Sequence, residues 1–70
     1  MLPLTKAAQG TTHTVKWALG LPEIMEKLNE LKIQQGSNIL VVQKDKDYMI
    51  IGSGGKRVVL DNRIASRIQV

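Results

Sequence analysis

The chain contains no cysteine and no phenylalanine, and its only aromatic residues are Trp17 and Tyr48. Without cysteine there is no disulfide, no thiolate zinc site and no thiol nucleophile. Such a composition suits a reducing compartment. The longest aliphatic run is Ile39 to Val42, whereas a membrane-spanning helix needs about 20 apolar residues. The first residues hold Pro3 and no apolar block long enough for a signal peptide. Scarce aromatics also argue against single-strand nucleic-acid binding, which normally relies on aromatic stacking platforms. A nucleic-acid-binding barrel is therefore the third-ranked reading, although the C-terminal part is basic.

What is present fits one small domain spanning residues 1–70. A chain of 70 residues buries only about 60% of its unfolded surface, so its core is marginal. The net charge of +4 is ordinary for solubility, but it is unevenly spread. Glu23, Glu26 and Glu30 form an acidic stretch, while Lys56, Arg57, Arg63 and Arg67 make the C-terminal part basic.

Local patterns define the elements. Residues 1–10 read as a lead-in with Leu2 and Leu4 as anchors. Thr11 to Trp17, with its β-branched residues, reads as a strand, and Trp17 at its end as a core or helix-docking residue. Pro22 suits the first position of a helix, running from about Glu23 to Leu31. Its stripe is Ile24, Leu28 and Leu31, and Glu23 and Lys27 form a favourable i, i+4 pair. Strands follow at Ile39–Gln43 and Tyr48–Ile51, joined by the charged turn Asp45-Lys46-Asp47. A glycine turn, Gly52 to Gly55, leads into Arg57–Leu60. Asp61 can cap one helical turn, in which Ile64 and Ile68 share a face, and a last strand closes the chain.

Five short strands around one helix cannot cover two broad sheets. The expected fold is mainly β: a small SH3-like barrel with one α-helix inserted after the first strand and a helical turn before the last. The inward set of the central strands is either Ile39, Val41, Tyr48 and Ile50 or Leu40, Val42, Met49 and Ile51. Both sets are apolar, so periodicity does not choose between them. If both faces are apolar, the helix covers one or a partner does.

Chemical motifs are few. His13 is the sole imidazole and has no acidic neighbour in sequence. It is the one weak candidate for binding a transition metal such as Fe(II), whose sites favour imidazole with carboxylate. Asp45 and Asp47 are flanked by Lys44 and Lys46, which oppose a cation, and Glu26 and Glu30 read as a solvated helix face. Gly52-Ser53-Gly54-Gly55-Lys56 fits neither the P-loop nor the dinucleotide pattern. No nucleophile and base stand in a recognisable arrangement, and so small a domain has little room for a pocket of ~300 Å³ or more. Enzyme activity is not expected. An aliphatic patch of Met25, Ile33 and Met49, ringed by Lys56, Arg57 and Arg63, is the candidate partner surface.

Leu4, Ala7, Gly10 and Val15, then Leu28, Leu31 and Gly36, and above all Leu60-Asp61 and Ile64 to Val70 carry a resemblance. The chain resembles the FeoA family of small bacterial ferrous iron transport proteins, over nearly its whole length. Related SH3-like domains end iron- and manganese-dependent repressors. The chain departs from the family at Lys32, often glycine there, and at Gln35, often proline. It also carries Glu23 and Glu26 on a helix that often bears paired basic residues. The resemblance implies a cytoplasmic accessory of iron uptake that works with the cytosolic side of a FeoB-type transporter. It also implies transition-metal binding, without naming ligands.

Overall fold

The computed structural model describes residues 1–70. Six short strands and two helices alternate with a 3-10 turn at Leu4–Lys6. A four-stranded antiparallel sheet has the order β1 (Thr12–Thr14), β3 (Asn38–Lys44), β4 (Tyr48–Ser53), β5 (Lys56–Asp61). A smaller sheet pairs β2 (Trp17–Ala18) with β6 (Ile68–Gln69). The first strand expected from sequence is thus two strands, broken at Val15 and Lys16. Buried Val15 donates its N–H to Ser37 (2.8 Å) and Lys16 donates to Gln69 (2.7 Å), so the chain passes from one sheet to the other there. Leu2 and Val70 exchange two backbone hydrogen bonds, at 2.9 and 2.8 Å. The mainly β, SH3-like architecture is as expected, with six strands in place of five.

The core is a single cluster of 13 buried residues, all apolar. Leu4, Ile39, Val41, Ile51, Ala65 and Ile68 are fully buried. The central strands resolve their ambiguity by taking one set from each alternative: Ile39 and Val41 face inward on β3, and Met49 and Ile51 on β4. Register explains this. Val41 lies opposite Ile51, and directly opposed residues share a face. A bulge at Val42 then shifts pairing, so that Gln43 opposes Ile50. Sequence periodicity within each strand could not fix this pairing between strands.

Helix α1 (Pro22–Glu30) begins with proline in its first turn and carries Glu23 there. The expected Glu23–Lys27 pair is not formed; the one ion pair in the molecule joins Arg63 to Asp61 at 3.2 Å. The C-terminus of α1 is a Schellman motif. Lys32 lies in the left-handed region at φ 60°, and its N–H donates to Asn29 at 3.0 Å while that of Ile33 donates to Leu28 at 2.9 Å. The accompanying apolar contact of this motif buries Ile33 with Leu28. Helix α2 (Asn62–Ala65) is a single turn capped as expected: the Arg63 N–H donates to the Asp61 carboxylate at 2.7 Å. Beside it Asn62 fastens the β3–β4 turn, its amide nitrogen donating to the Lys46 carbonyl at 3.0 Å.

Candidate interaction surfaces

Two apolar surfaces lie outside the core. The first surrounds α1. Trp17 from β2 and Met25 from α1 are 41% and 38% exposed. With Ala18, Leu28, Asn29 and Ile33 they line a groove of about 250 Å³. Leu19 and Leu21, in the segment joining β2 to α1, are each 62% exposed. Trp17 is therefore neither fully core nor free: it leans on the helix side and shows much of its ring to solvent. Nothing in its sequence context distinguished this from burial.

The second surface is the outer face of the four-stranded sheet. Leu40 is exposed, Val42 and Ile50 are half-buried, and Val59 is 65% exposed. Gly52 lies opposite Leu40 in the ladder and leaves a dent between Leu40 and Val42. Lys56 and Arg57 border this dent.

The residues singled out by sequence separate into these environments. Met25 is on the first surface. Ile33 and Met49 are core residues, 2% and 1% exposed. Neither can form an exposed partner patch, Ile33 because the helix-terminating motif tucks it in and Met49 because register turns it inward. Lys56 and Arg57 border the second surface. Arg63 is exposed on α2 and holds Asp61, whose carboxyl it keeps below the usual carboxylate value through hydrogen bonds and charge. The Tyr48 phenol is raised above its ordinary value, first by hydrogen bonding with Asp45 and then by that carboxylate's charge.

His13 sits on β1 opposite Ile39, half-buried, with its Nε2 2.9 Å from the Thr11 hydroxyl. No three His, Asp or Glu side chains converge where they could hold a metal ion. One imidazole and a hydroxyl do not make a transition-metal donor set, so the residues of a single chain do not fit the metal-binding property expected of the family.

Comparison with known proteins settles the family. The FeoA domain matches residues 2–70. The chain belongs to the FeoA domain family. A crystal structure of an iron uptake regulatory protein, FeoA, superposes with a TM-score of 0.88 at 26% identity, covering 96% of this chain and 91% of that one. The FeoA of Stenotrophomonas maltophilia, crystallised with zinc and described as a prokaryotic SH3 domain protein, gives 0.88 at 22% identity, covering 100% and 89%. A manganese-dependent transcriptional repressor shares the fold at TM-score 0.89 and 19% identity, with 94% of this chain matching 38% of that protein. No curated protein matches the chain by sequence. The family ties the FeoA domain to ferrous iron transport. No helix is long and apolar enough to cross a membrane.

Proposed function

We propose that this FeoA domain is a non-enzymatic, cytosolic interaction module that docks on the cytosolic part of a FeoB-type ferrous iron transporter and modulates it. The observation that carries this reading is the groove around α1. Trp17 and Met25 line it partly exposed, and Leu19 and Leu21, in the segment leading into α1, are each 62% exposed, none of the four belonging to the buried core. Several large apolar side chains exposed around one helix of so small a domain support an interaction site there. Tryptophan is among the residues that dominate interface energetics.

The module acts as a ligand. It shifts the transporter only insofar as it binds one conformational or nucleotide state more tightly than another. Ferrous iron is the transporter's cargo, and no step of this mechanism has the FeoA domain hold it.

The test is an NMR titration of the isotope-labelled domain with the GTP-binding domain of its cognate transporter. Saturable shifts are expected at Trp17, Leu19 and Met25, with Met25→Ala and Trp17→Ala weakening the complex. Absence of shifts at about 1 mM, a concentration that reveals even contacts worth about 4 kcal/mol, would overturn docking to that domain.

A further inference from the structure

Strand β5 is an edge. It pairs with β4 on one side and with no strand on the other. Its hydrogen-bonding phase is fixed at both ends. At the start, Ser53 and Lys56 flank a two-residue turn whose glycines have φ of 59° and 79°, the signature of a type I′ hairpin closed by a hydrogen-bonded pair. Just past the end, the Asn62 N–H donates to the Asp47 carbonyl at 3.0 Å. Even-numbered residues therefore bond to β4, and the backbone groups of Arg57 and Val59 point away from it. Neither residue takes part in any backbone hydrogen bond beyond the sheet.

The side chains on this open edge alternate to the outer face as Arg57, Val59 and Asp61. Arg57 has no ion pair. Asp61 is partly exposed, and its second carboxylate oxygen is held only at 3.3 Å by Arg63. The sequence Arg-x-Val-x-Asp is self-complementary when run antiparallel against itself. Centred on Val59, the pairing sets Val59 against Val59 and each Arg57 against the partner's Asp61. Centred on Arg57, it would set arginine against arginine, which is repulsive. Natural edges are usually guarded by like charge; here the opposite charge stands at the spacing that cancels the guard.

We propose that two copies of this chain associate through β5, antiparallel and centred on Val59, joining their four-stranded sheets into one of eight strands. The interface is isologous, as a two-fold dimer requires. It uses a surface separate from the α1 groove, so it stands or falls independently of the transporter reading. A six-residue edge covers little area, and interfaces below about 1,200 Å² are weak. The expected dissociation constant lies between about 10 μM and about 1 mM.

The experiment is sedimentation equilibrium of the full chain from about 10 μM to about 2 mM, a range that brackets that affinity. It is paired with isotope-filtered NMR on a mixture of labelled and unlabelled protein. A monomer–dimer equilibrium is expected. Intermolecular Hα contacts between Val58 and the partner's Leu60 should appear, because this is the close, non-hydrogen-bonded pair of the proposed register. Arg57→Asp, which puts carboxylate opposite carboxylate at an exposed site, should weaken the dimer at least about tenfold without changing the melting temperature of the monomer. Val59→Pro removes an N–H that the fold does not use and should do the same. A chain that stays monomeric at about 1 mM, or a dimer that Arg57→Asp leaves intact, overturns the proposal.

Discussion

Lys32→Gly should stabilise this protein. Lys32 occupies the position after the cap of α1 at φ 60°, where both closing hydrogen bonds of the Schellman motif depend on left-handed backbone. For a residue with a Cβ that conformation costs roughly 1–2 kcal/mol, and glycine adopts it freely. Glycine also loosens the unfolded chain, which takes back about 0.4–1 kcal/mol. The lysine side chain is exposed, so its removal forfeits no packing. The net gain is about 0.5–1 kcal/mol, and for a domain of this size about 2–8 °C in melting temperature. Thermal and urea unfolding followed by circular dichroism would measure it, with the urea midpoint rising at unchanged slope. Lys32→Ala serves as the control. It removes the same charge and side chain but keeps the strain, and should change stability by less than about 0.5 kcal/mol. If Lys32→Gly lowered the melting temperature, or matched Lys32→Ala, the assignment of strain to this residue would be wrong.

Other outcomes follow from the same structure. Gly52 has no positive φ, and a Cβ built there meets Leu40 and Val42 at ordinary contact distances of 3.6 and 3.8 Å; Gly52→Ala should raise stability by about 0.4–1 kcal/mol in urea unfolding while filling the dent on the outer face. Ile51→Ala removes a fully buried side chain from the middle of β4 and should cost about 2–5 kcal/mol. Set against a core that supplies about 3–5 kcal/mol, that leaves the variant largely unfolded by circular dichroism at 37 °C. Tyr48 is the only tyrosine, so absorbance at 295 nm should report a phenol titrating above its ordinary value, and Asp45→Asn should lower that midpoint. The Asp61 carboxyl is depressed in the folded state, so its charge adds stability above the unfolded value and loses it as pH falls through the folded one. Asp61→Asn keeps a capping oxygen, and its stability deficit relative to the parent at pH 7 should close as pH falls below about 4.

Much of the fold was legible because the signals were local. Pro22 opening α1, the glycines of the β4–β5 turn and Asp61 capping α2 each act within a few residues, and each is where the sequence put it. What was not legible depended on pairing between distant segments. The inward faces of β3 and β4 follow from the register of Val41 with Ile51 and from the bulge at Val42, neither of which leaves a mark in either strand alone. Ile33 is the exception. It follows helix α1 at the position that a Schellman motif buries, and the family's frequent glycine at residue 32 pointed to that motif. Trp17 was ambiguous for a different reason: a large aromatic at a strand end serves a core and an interface equally well.

The division of apolar residues between core and surface carries the functional argument further than any single side chain does. Thirteen residues close the core, and every one of them is apolar. Trp17, Leu19, Leu21, Met25, Leu40 and Val59 lie outside that cluster, and each keeps more than a third of its surface exposed. A lone exposed apolar residue needs no explanation. Here, however, they fall into two sets on different elements: one beside α1 over a groove lined by uncharged residues, the other on the sheet beside Lys56 and Arg57. A neutral groove on one side and a sheet edge bordered by basic residues on the other suit different partners, so the transporter contact is proposed for the first and self-association for the edge of the second. The assignment makes opposite demands on two substitutions. Met25→Ala should weaken transporter binding and leave sedimentation unchanged, whereas Arg57→Asp should do the reverse. If both substitutions weakened the same event, the two surfaces would be one site and the division argued here would be wrong.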